Sequence, residues 1–200
     1  MNSVRIYLAS RSPRRAQLLD QIGVTFETCN AQVDESLLPR EAPGDYVTRL
    51  AREKALTGIL SSSMPRPVLA ADTAVVIDDE ILTKPTDADH ALDMLQRLSG
   101  RQHRVMTAVA VAARVNNNEN AKTAVKLQIS SVRFRTIEDW EAAAYVATGE
   151  GLDKAGAYAV QGLAAVFIER LEGSYSGVMG LPLFETAQLL QQWRIPVLYP

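Results

Sequence analysis

Two adjacent arginines at the start of a predicted helix are the first residues that could do chemistry. Arg14 and Arg15 follow Ser12, a good N-cap residue, and Pro13, which suits the first helical position. A helix N-terminus presents free N–H groups and the positive end of a dipole, so it favours anions. Two positively charged arginines at this end of the dipole should weaken the helix unless a bound anion offsets their charge. Phosphate is the natural candidate, because its oxygens match the fork-shaped donors of arginine. The pattern indicates an anion site, with a solvated basic turn as the alternative.

One carboxylate interrupts the most continuous apolar run of the chain. Asp72 lies within 68–77, a run typical of a strand that is buried on both faces. A buried carboxylate is costly unless it is paired or binds a cation. Asp72 is therefore either a structural residue that caps the end of a short strand, or a metal ligand or general base at a strand end that faces a cleft.

Three lysines and an acidic loop complete the candidate set. On the predicted helix 45–60, Lys54 falls on the inward stripe, so it either snorkels to the surface or enters a polar cleft. Lys84 lies at a strand–helix junction, Lys154 in a glycine-rich stretch, and Glu35 in a loop. Carboxylates with lysines and arginines suit metal-assisted chemistry on a polyphosphate, because Mg²⁺ prefers carboxylate and phosphate oxygens. A module that binds an anionic ligand without turnover is the alternative.

Alternating strands and helices must position these residues. The hydrophobic patterns predict strands over 4–9, 25–30, 68–77, 81–82, 103–114, 122–135 and 164–169. Predicted helices run from 13 to about 22, from 45 to 60, from a cap at 86–89 to 99, from a cap at 136–139 to about 149, and from 182 to 193. The Asn-rich segment 116–120 predicts a hairpin loop, and 172–181 a second loop. The mixture predicts an α/β or α+β domain with a mixed sheet.

Composition limits the function classes. With 200 residues, 47% of them hydrophobic, the chain suits one domain or two small lobes. The 21 basic and 23 acidic residues give a net charge of −2, which argues against a duplex nucleic-acid binder. The single cysteine, Cys29, excludes an internal disulfide and a cysteine-rich zinc site. Because no apolar run is long enough for a membrane span or a signal peptide, we expect a soluble cytoplasmic protein.

The chain resembles the Maf (septum formation inhibitor) family, in its branch of nucleoside triphosphate pyrophosphatases that act on dTTP and UTP. The resemblance covers nearly the whole chain and rests on ordered motifs at 8–15, 49–55, 71–73, 84–85, 99–100, 106–109, 153–158, 161–162, 173–175 and 178–182. It implies one domain over residues 1–200, an elongated mixed sheet, and a cleft between two lobes. It also implies a divalent metal (Mg²⁺ or Mn²⁺), a homodimer, clearance of non-canonical nucleotides and a link to division arrest.

The resemblance also assigns roles to individual residues. The catalytic carboxylate falls on Asp72, which would hold the metal together with Glu35. The specificity positions fall on Arg14, Thr73 and Gln161. The phosphate contacts fall on Ser10, Ser12, Arg14, Arg15, Lys54, Lys84 and Lys154. Two departures are mild: Arg11 stands where related chains can carry glycine, and the Asn-rich hairpin is longer than expected.

The implied reaction is hydrolysis between the α- and β-phosphates, giving a nucleoside monophosphate and pyrophosphate. Asp72 would bind the metal or activate the attacking water. The amide of Gln161 can pair with O4 and N3–H of thymine or uracil, and Thr73 or a backbone group can bind O2. Because that amide could flip to accept cytosine, discrimination needs a second fixed group. Two alternatives remain: a 7-methyl-GTP-type pyrophosphatase, and a non-catalytic nucleotide-binding regulator of septum formation.

Overall fold

A seven-stranded mixed sheet flanked by helices forms the framework of the molecule. The computed structural model describes residues 5–62, 65–114 and 121–198. The strands are β1 (Ile6–Leu8), β2 (Phe26–Thr28), β3 (Val68–Ile77), β4 (Glu80–Leu82), β5 (Gln102–Arg114), β6 (Ala121–Phe134) and β7 (Ile168–Glu172). The helices are α1 (Pro13–Gln21), α2 (Pro43–Ser61), α3 (Ala88–Leu98), α4 (Asp139–Ala147), α5 (Tyr175–Met179) and α6 (Leu183–Gln192). The predicted class, α/β with a mixed sheet, is confirmed.

The strand order places β3 at the centre of the sheet. The order is β2-β1-β3-β5-β6-β7, and β4 pairs with β3 beside this path. Strand β1 is parallel to β2 and β3, whereas the other pairs are antiparallel. In the register between β3 and β5, Asp72 lies opposite Ala108 and Thr73 opposite Thr107.

The hydrophobic core is divided between the two faces of this sheet. Helix α2 packs on one face, where Val47 and Leu50 meet the small side chains of Ala70 and Ala74. The opposite face carries two clusters: one with α1 and α6, the other with α3 and α4. Because successive side chains of a strand point to opposite faces, Asp72 faces α2 and Thr73 faces the other side.

The strand predicted at 164–169 is wrong. Residues Leu163–Phe167 form a 3₁₀ turn, and β7 begins only at Ile168. In this turn Ala164 and Phe167 are buried while the two residues between them are exposed. That spacing of three suits a turn rather than the alternation of a strand.

Smaller differences concern caps and loops. The predicted loop 172–181 contains the short helix α5, whose N-cap Ser174 accepts a hydrogen bond from the Gly177 N–H at 3.0 Å. Helix α3 is capped by Asp87, which accepts from the His90 N–H at 2.8 Å. The predicted Asn-rich hairpin loop and the first residue of the predicted strand 4–9 lie outside the described residues. Among the described residues, no helix is both long enough and apolar enough to cross a bilayer.

Candidate active site

A single cleft brings together every site residue that the sequence predicts. It has a volume of about 940 Å³, within the usual range for a small-molecule site. Its walls come from the loop before α1, the loop after β2, strands β3 and β4, the segment 153–161, and the end of α5. The predicted residues that line it are Ser10, Ser12, Arg14, Arg15, Glu35, Lys54, Asp72, Thr73, Lys84, Lys154 and Gln161.

Lys54 joins two carboxylates on the α2 side of the cleft. Its Nζ lies 2.6 Å from Asp72 Oδ1 and 2.6 Å from Glu35 Oε1. The Lys54 and Asp72 side chains are only 12% and 11% exposed, whereas Glu35 is 51% exposed. The inward direction predicted for Lys54 is therefore confirmed, and its ammonium enters the cleft instead of snorkelling. Asp72 lies in the middle of β3, so the strand-end position expected in both interpretations is wrong, and with it the interpretation of Asp72 as a strand cap.

The two carboxylates of this cluster have opposite pKa shifts. Burial raises the pKa of Asp72 above its ordinary value, and the charges of Lys54 and Arg15 offset this only in part. Partial burial also acts to raise the pKa of Glu35, but the hydrogen bond and charge of Lys54, with the charge of Lys84, outweigh it and lower the pKa. Asp72 is thus the stronger base of the two.

The donor set of this cluster suits a magnesium-type ion. Mg²⁺ is usually held by one or two carboxylates together with substrate phosphates and waters. Asp72 and Glu35 supply two carboxylates that already converge on one cationic atom, Lys54 Nζ. Across the described parts of the chain, no group of three or more His, Cys, Asp or Glu side chains could form an all-protein metal site. The cluster fits an ion that also needs a phosphate ligand.

The start of α1 leaves donors available for an anion. Ser12 occupies the N-cap position as predicted, but its side chain makes no capping hydrogen bond. Instead, its N–H donates to Ser10 Oγ at 3.1 Å. Arg14 lines the cleft half-buried, and among the described residues no hydrogen bond or ion pair engages it. Among the described residues, the Arg14 guanidinium can therefore turn to a phosphate without giving up a hydrogen bond, and the helix N-terminus has no side-chain cap that a phosphate would displace.

Arg15 differs from its neighbour because neutral groups hold it in place. Its Nε donates to the Gly180 carbonyl at 2.7 Å, and its Nη2 donates to Thr73 Oγ1 at 3.2 Å. Gly180 has a φ of +115°, a conformation that side-chain-bearing residues rarely adopt, and this turn presents its carbonyl to Arg15. Burial lowers the pKa of Arg15, and the charge of Asp72 opposes that shift.

A second hydroxyl, which the sequence analysis did not single out, continues this network. Thr107 Oγ1 lies 2.7 Å from the Gly177 carbonyl oxygen and 3.0 Å from Thr73 Oγ1. A hydroxyl has one proton, and a carbonyl oxygen only accepts. Thr107 is the donor in both contacts, so its single proton serves one of these two acceptors at a time. The signal that could have identified Thr107 is a polar residue within the apolar strand β5, just as Asp72 interrupts β3.

The segment that carries Lys154 and Gln161 closes the far side of the cleft. Lys154 Nζ donates to the Glu150 carbonyl and to the Asp153 carboxylate. Gln161 lies exposed at the rim. Between them, the buried Tyr158 hydroxyl lies 2.9 Å from His103 Nε2. Burial lowers the pKa of His103 to about 4, so this contact involves a neutral imidazole at neutral pH.

Comparison with known proteins shows the family to which the chain belongs. Residues 5–193 match the family of Maf-like proteins. The chain belongs to the Maf family. It is 53% identical over 195 residues to the dTTP/UTP pyrophosphatase of Alkalilimnicola ehrlichii, an alignment that covers 95% of this chain and 93% of that protein. It is 49% identical over 189 residues to the dTTP/UTP pyrophosphatase of Escherichia coli O157:H7, covering 94% and 93%.

Similarity to solved structures is more distant. A HAM1 protein from Coxiella burnetii aligns with 95% of this chain and 100% of its own length, at 15% identity and a TM-score of 0.47. A likeness at this level does not bear on the chemistry of the site.

Proposed function

We propose that this Maf protein hydrolyses dTTP and UTP to the nucleoside monophosphate and pyrophosphate. The observation that carries the proposal is the cluster in which Lys54 contacts Asp72 and Glu35 at 2.6 Å each, beside an uncapped helix N-terminus. Such a cluster supplies both signs of charge that a metal-bound polyphosphate requires. The relatives named dTTP/UTP pyrophosphatases support the same activity.

Asp72 and Glu35 are the residues that would hold Mg²⁺ or Mn²⁺. When bound, the ion would neutralise phosphate charge and orient the phosphate whose phosphorus atom is attacked by water. Asp72 is buried and has a raised pKa, so its carboxylate also suits proton transfer from the attacking water. The positive charge of Lys54 opposes the effect of burial on the pKa of Asp72, so it favours the ionised carboxylate.

Several cationic residues would bind the negatively charged phosphates together. Arg14, with the Ser10 and Ser12 region at the start of α1, faces the cleft with donors that no internal partner engages strongly. Lys84 is exposed on the opposite wall, and its charge already acts on Glu35. In this proposal Lys154 exchanges its Asp153 partner for a phosphate oxygen and closes the site.

The base binds at the other end of the cleft, near Gln161 and Thr73. The amide of Gln161 can donate to O4 and accept from N3–H, which matches thymine and uracil. A site built on such pairing rejects a base that leaves its polar groups unpaired. We therefore assign base choice to this end, and hydrolysis to the Asp72 end.

The proposal extends to the form in which the protein acts. We infer a single domain over residues 1–200 and a cytoplasmic homodimer that clears non-canonical nucleotides and influences septum formation, on the strength of the family resemblance. Light scattering after gel filtration tests the dimer: twice the chain mass of 21.9 kDa is expected, and a mass of 21.9 kDa contradicts it.

Release of pyrophosphate from a panel of nucleotides tests the activity. The panel contains dTTP, UTP, dCTP, the purine triphosphates and 7-methyl-GTP, each with Mg²⁺ or Mn²⁺. We expect dTTP and UTP to give the highest kcat/KM and to yield equal amounts of monophosphate and pyrophosphate. A preference for 7-methyl-GTP would place the protein in the other branch, and binding without release would make it a regulator.

A further inference from the structure

Gln161 is exposed at the rim of the cleft, yet side chains hold the backbone on both sides of it. Two residues before it, the Ala159 N–H donates to the Tyr145 hydroxyl at 3.2 Å. Two residues after it, the Leu163 N–H donates to Glu150 Oε2 at 3.0 Å. Tyr145 and Glu150 therefore fix the path of the backbone that carries Gln161.

These two side chains also bind each other. Tyr145 is buried near the end of α4, and its hydroxyl donates to Glu150 Oε1 at 2.9 Å. A phenol has one proton to donate and can also accept, so the Tyr145 hydroxyl uses both capacities, one for Glu150 and one for Ala159. Glu150 in turn uses one carboxylate oxygen for Tyr145 and the other for Leu163. We call this pair, Tyr145 and Glu150, the loop clamp.

The residue that follows Gln161 leaves room for the Glu150 carboxylate. A Cβ at Gly162 would lie 2.3 Å from Glu150 Oε2, well inside the van der Waals contact distance. Glycine therefore lets the carboxylate lie directly against the backbone beside Gln161. A side chain at this position would displace the carboxylate and break its hydrogen bonds to Tyr145 and Leu163.

We propose that Tyr145 and Glu150 are positioning residues for base choice, because the loop clamp holds Gln161 where its amide meets the base. This inference rests on the proposed function, in which Gln161 pairs with thymine and uracil. Neither side chain of the clamp lines the cleft, so both act through the loop and not on the nucleotide. Ordering an exposed loop costs free energy on binding, and a clamp formed in the free protein reduces that cost.

A double-mutant cycle tests this role with wild type, Tyr145→Phe, Gln161→Ala and the protein that carries both substitutions. Phenylalanine keeps the ring of Tyr145 and deletes the hydroxyl. The readout is the ratio of kcat/KM for dTTP to kcat/KM for dCTP, since a loss of folded protein lowers both values equally. Tyr175→Phe is the control, because Tyr175 is exposed, does not line the cleft and makes no hydrogen bond through its hydroxyl among the described residues.

We expect the ratio to fall by about fivefold in Tyr145→Phe and about tenfold in Gln161→Ala, with kcat for dTTP within about twofold of wild type. In the protein that already carries Gln161→Ala, Tyr145→Phe should leave the ratio unchanged, because the clamp then has no amide to position. The control should keep the wild-type ratio. An unchanged ratio in Tyr145→Phe, or an equal fall with and without the Gln161 amide, overturns the positioning role.

Gly162→Ala breaks the same clamp while both of its side chains stay intact. The added Cβ should displace the Glu150 carboxylate, so hydrogen exchange of the Leu163 N–H should become about tenfold faster and the ratio should fall as in Tyr145→Phe. A wild-type preference for dTTP that survives both substitutions overturns the positioning role alone. A wild-type protein without a dTTP preference overturns the proposed function itself.

Discussion

Asp72 and Thr73 are consecutive residues of β3, yet they belong to two different environments. Towards α2, Asp72 meets Lys54 and Glu35, so this side is built from ionised groups. On the opposite face, Thr107 contacts Thr73 and the Gly177 carbonyl, and even Arg15 is held by neutral acceptors. Ion pairs can be redistributed when a charged substrate and a metal enter, whereas hydroxyls and carbonyls offer neutral hydrogen-bonding groups. The first side suits chemistry on phosphates, and the second suits recognition of a base.

Loss of the central carboxylate should have the largest effect. Asp72→Asn is isosteric but removes the negative charge that would hold the metal or take a proton. We expect kcat to fall by about a thousandfold or more, with the fold retained. Pyrophosphate release from dTTP and the thermal melting curve together check this.

Asp34→Asn is the matched control for this substitution. Asp34 is an exposed carboxylate of the same loop as Glu35, and its side chain hydrogen-bonds only locally, to the Ser36 N–H at 2.9 Å. Its kcat should stay near that of the wild type. A near-normal kcat in Asp72→Asn would remove that residue from the chemistry.

Loss of the bridging ammonium should have the next largest effect. Lys54→Met keeps most of the apolar stem, so we expect kcat/KM to fall by about a hundredfold with little change in stability. Because the charge of Lys54 lowers the pKa of Asp72, its removal should also raise that pKa further. The acid limb of the pH–rate profile should therefore move to higher pH.

Arg52→Met serves as the control on the same helix. Arg52 is an exposed cation of α2 and does not line the cleft, so neither the rate nor the acid limb should change. An acid limb that stays in place in Lys54→Met would contradict the assignment of that limb to Asp72.

The neutral character of the Thr73 face predicts a specific loss of stability in acid. His103 lies on this face two strand positions before Val105 and is 2% exposed, and burial lowers its pKa from 6.5 to about 4. Between these values the unfolded chain binds more protons than the folded chain, so stability is complete above about pH 6.5 and falls as the pH is lowered towards 4. This group alone should remove about 2 kcal/mol between pH 7 and pH 5.

Urea unfolding at the two pH values measures this loss. His103→Gln keeps a polar side chain beside Tyr158 but cannot titrate. Its free energy of unfolding should therefore fall between pH 7 and pH 5 by about 2 kcal/mol less than that of the wild type. An identical pH dependence in the two proteins would mean that His103 is not held neutral on this face.

The smallest predicted effect concerns the exposed rim. Gln161→Glu replaces an amide donor with an acceptor, so O4 of thymine loses its partner while the phosphate cluster is untouched. We expect the preference for dTTP over dCTP to fall by about tenfold, with a smaller change in kcat. Steady-state kinetics on both nucleotides check this. A preference that stays at the wild-type value would remove Gln161 from base recognition.

The ionic side of the site could be predicted from local sequence patterns, whereas the neutral side could not. Asp72 stood out because it interrupts an apolar run, and Lys54 because it lies on the inward stripe of a helix. Both signals need only a short window of sequence. The bond from Arg15 to the Gly180 carbonyl joins residues 165 positions apart, so no local pattern could indicate it. The contact between Thr107 and Thr73 exists only through the register between β3 and β5.

For the fold, too, local sequence patterns predict some elements and miss others. Strand β3 occupies Val68–Ile77 as predicted, because a long apolar run leaves few alternatives. The apolar residues of 164–169 predict a strand, but within the 3₁₀ turn Leu163–Phe167 only Ala164 and Phe167 reach the core. Tertiary packing decides which apolar residues of this segment are buried, and the sequence pattern alone does not contain that information.

The central claim is that the Asp72 face of β3 serves phosphate chemistry and the Thr73 face serves base recognition. The ratio of kcat/KM for dTTP to kcat/KM for dCTP in Lys54→Met tests this claim most directly. If the Asp72 face serves the phosphates alone, both values fall together and the ratio stays within about twofold of wild type, while the same assay on Gln161→Glu shows a changed ratio. A ratio that moves with Lys54→Met, to the same extent as with Gln161→Glu, would contradict the account. In that case base choice and hydrolysis would depend on one shared network across β3.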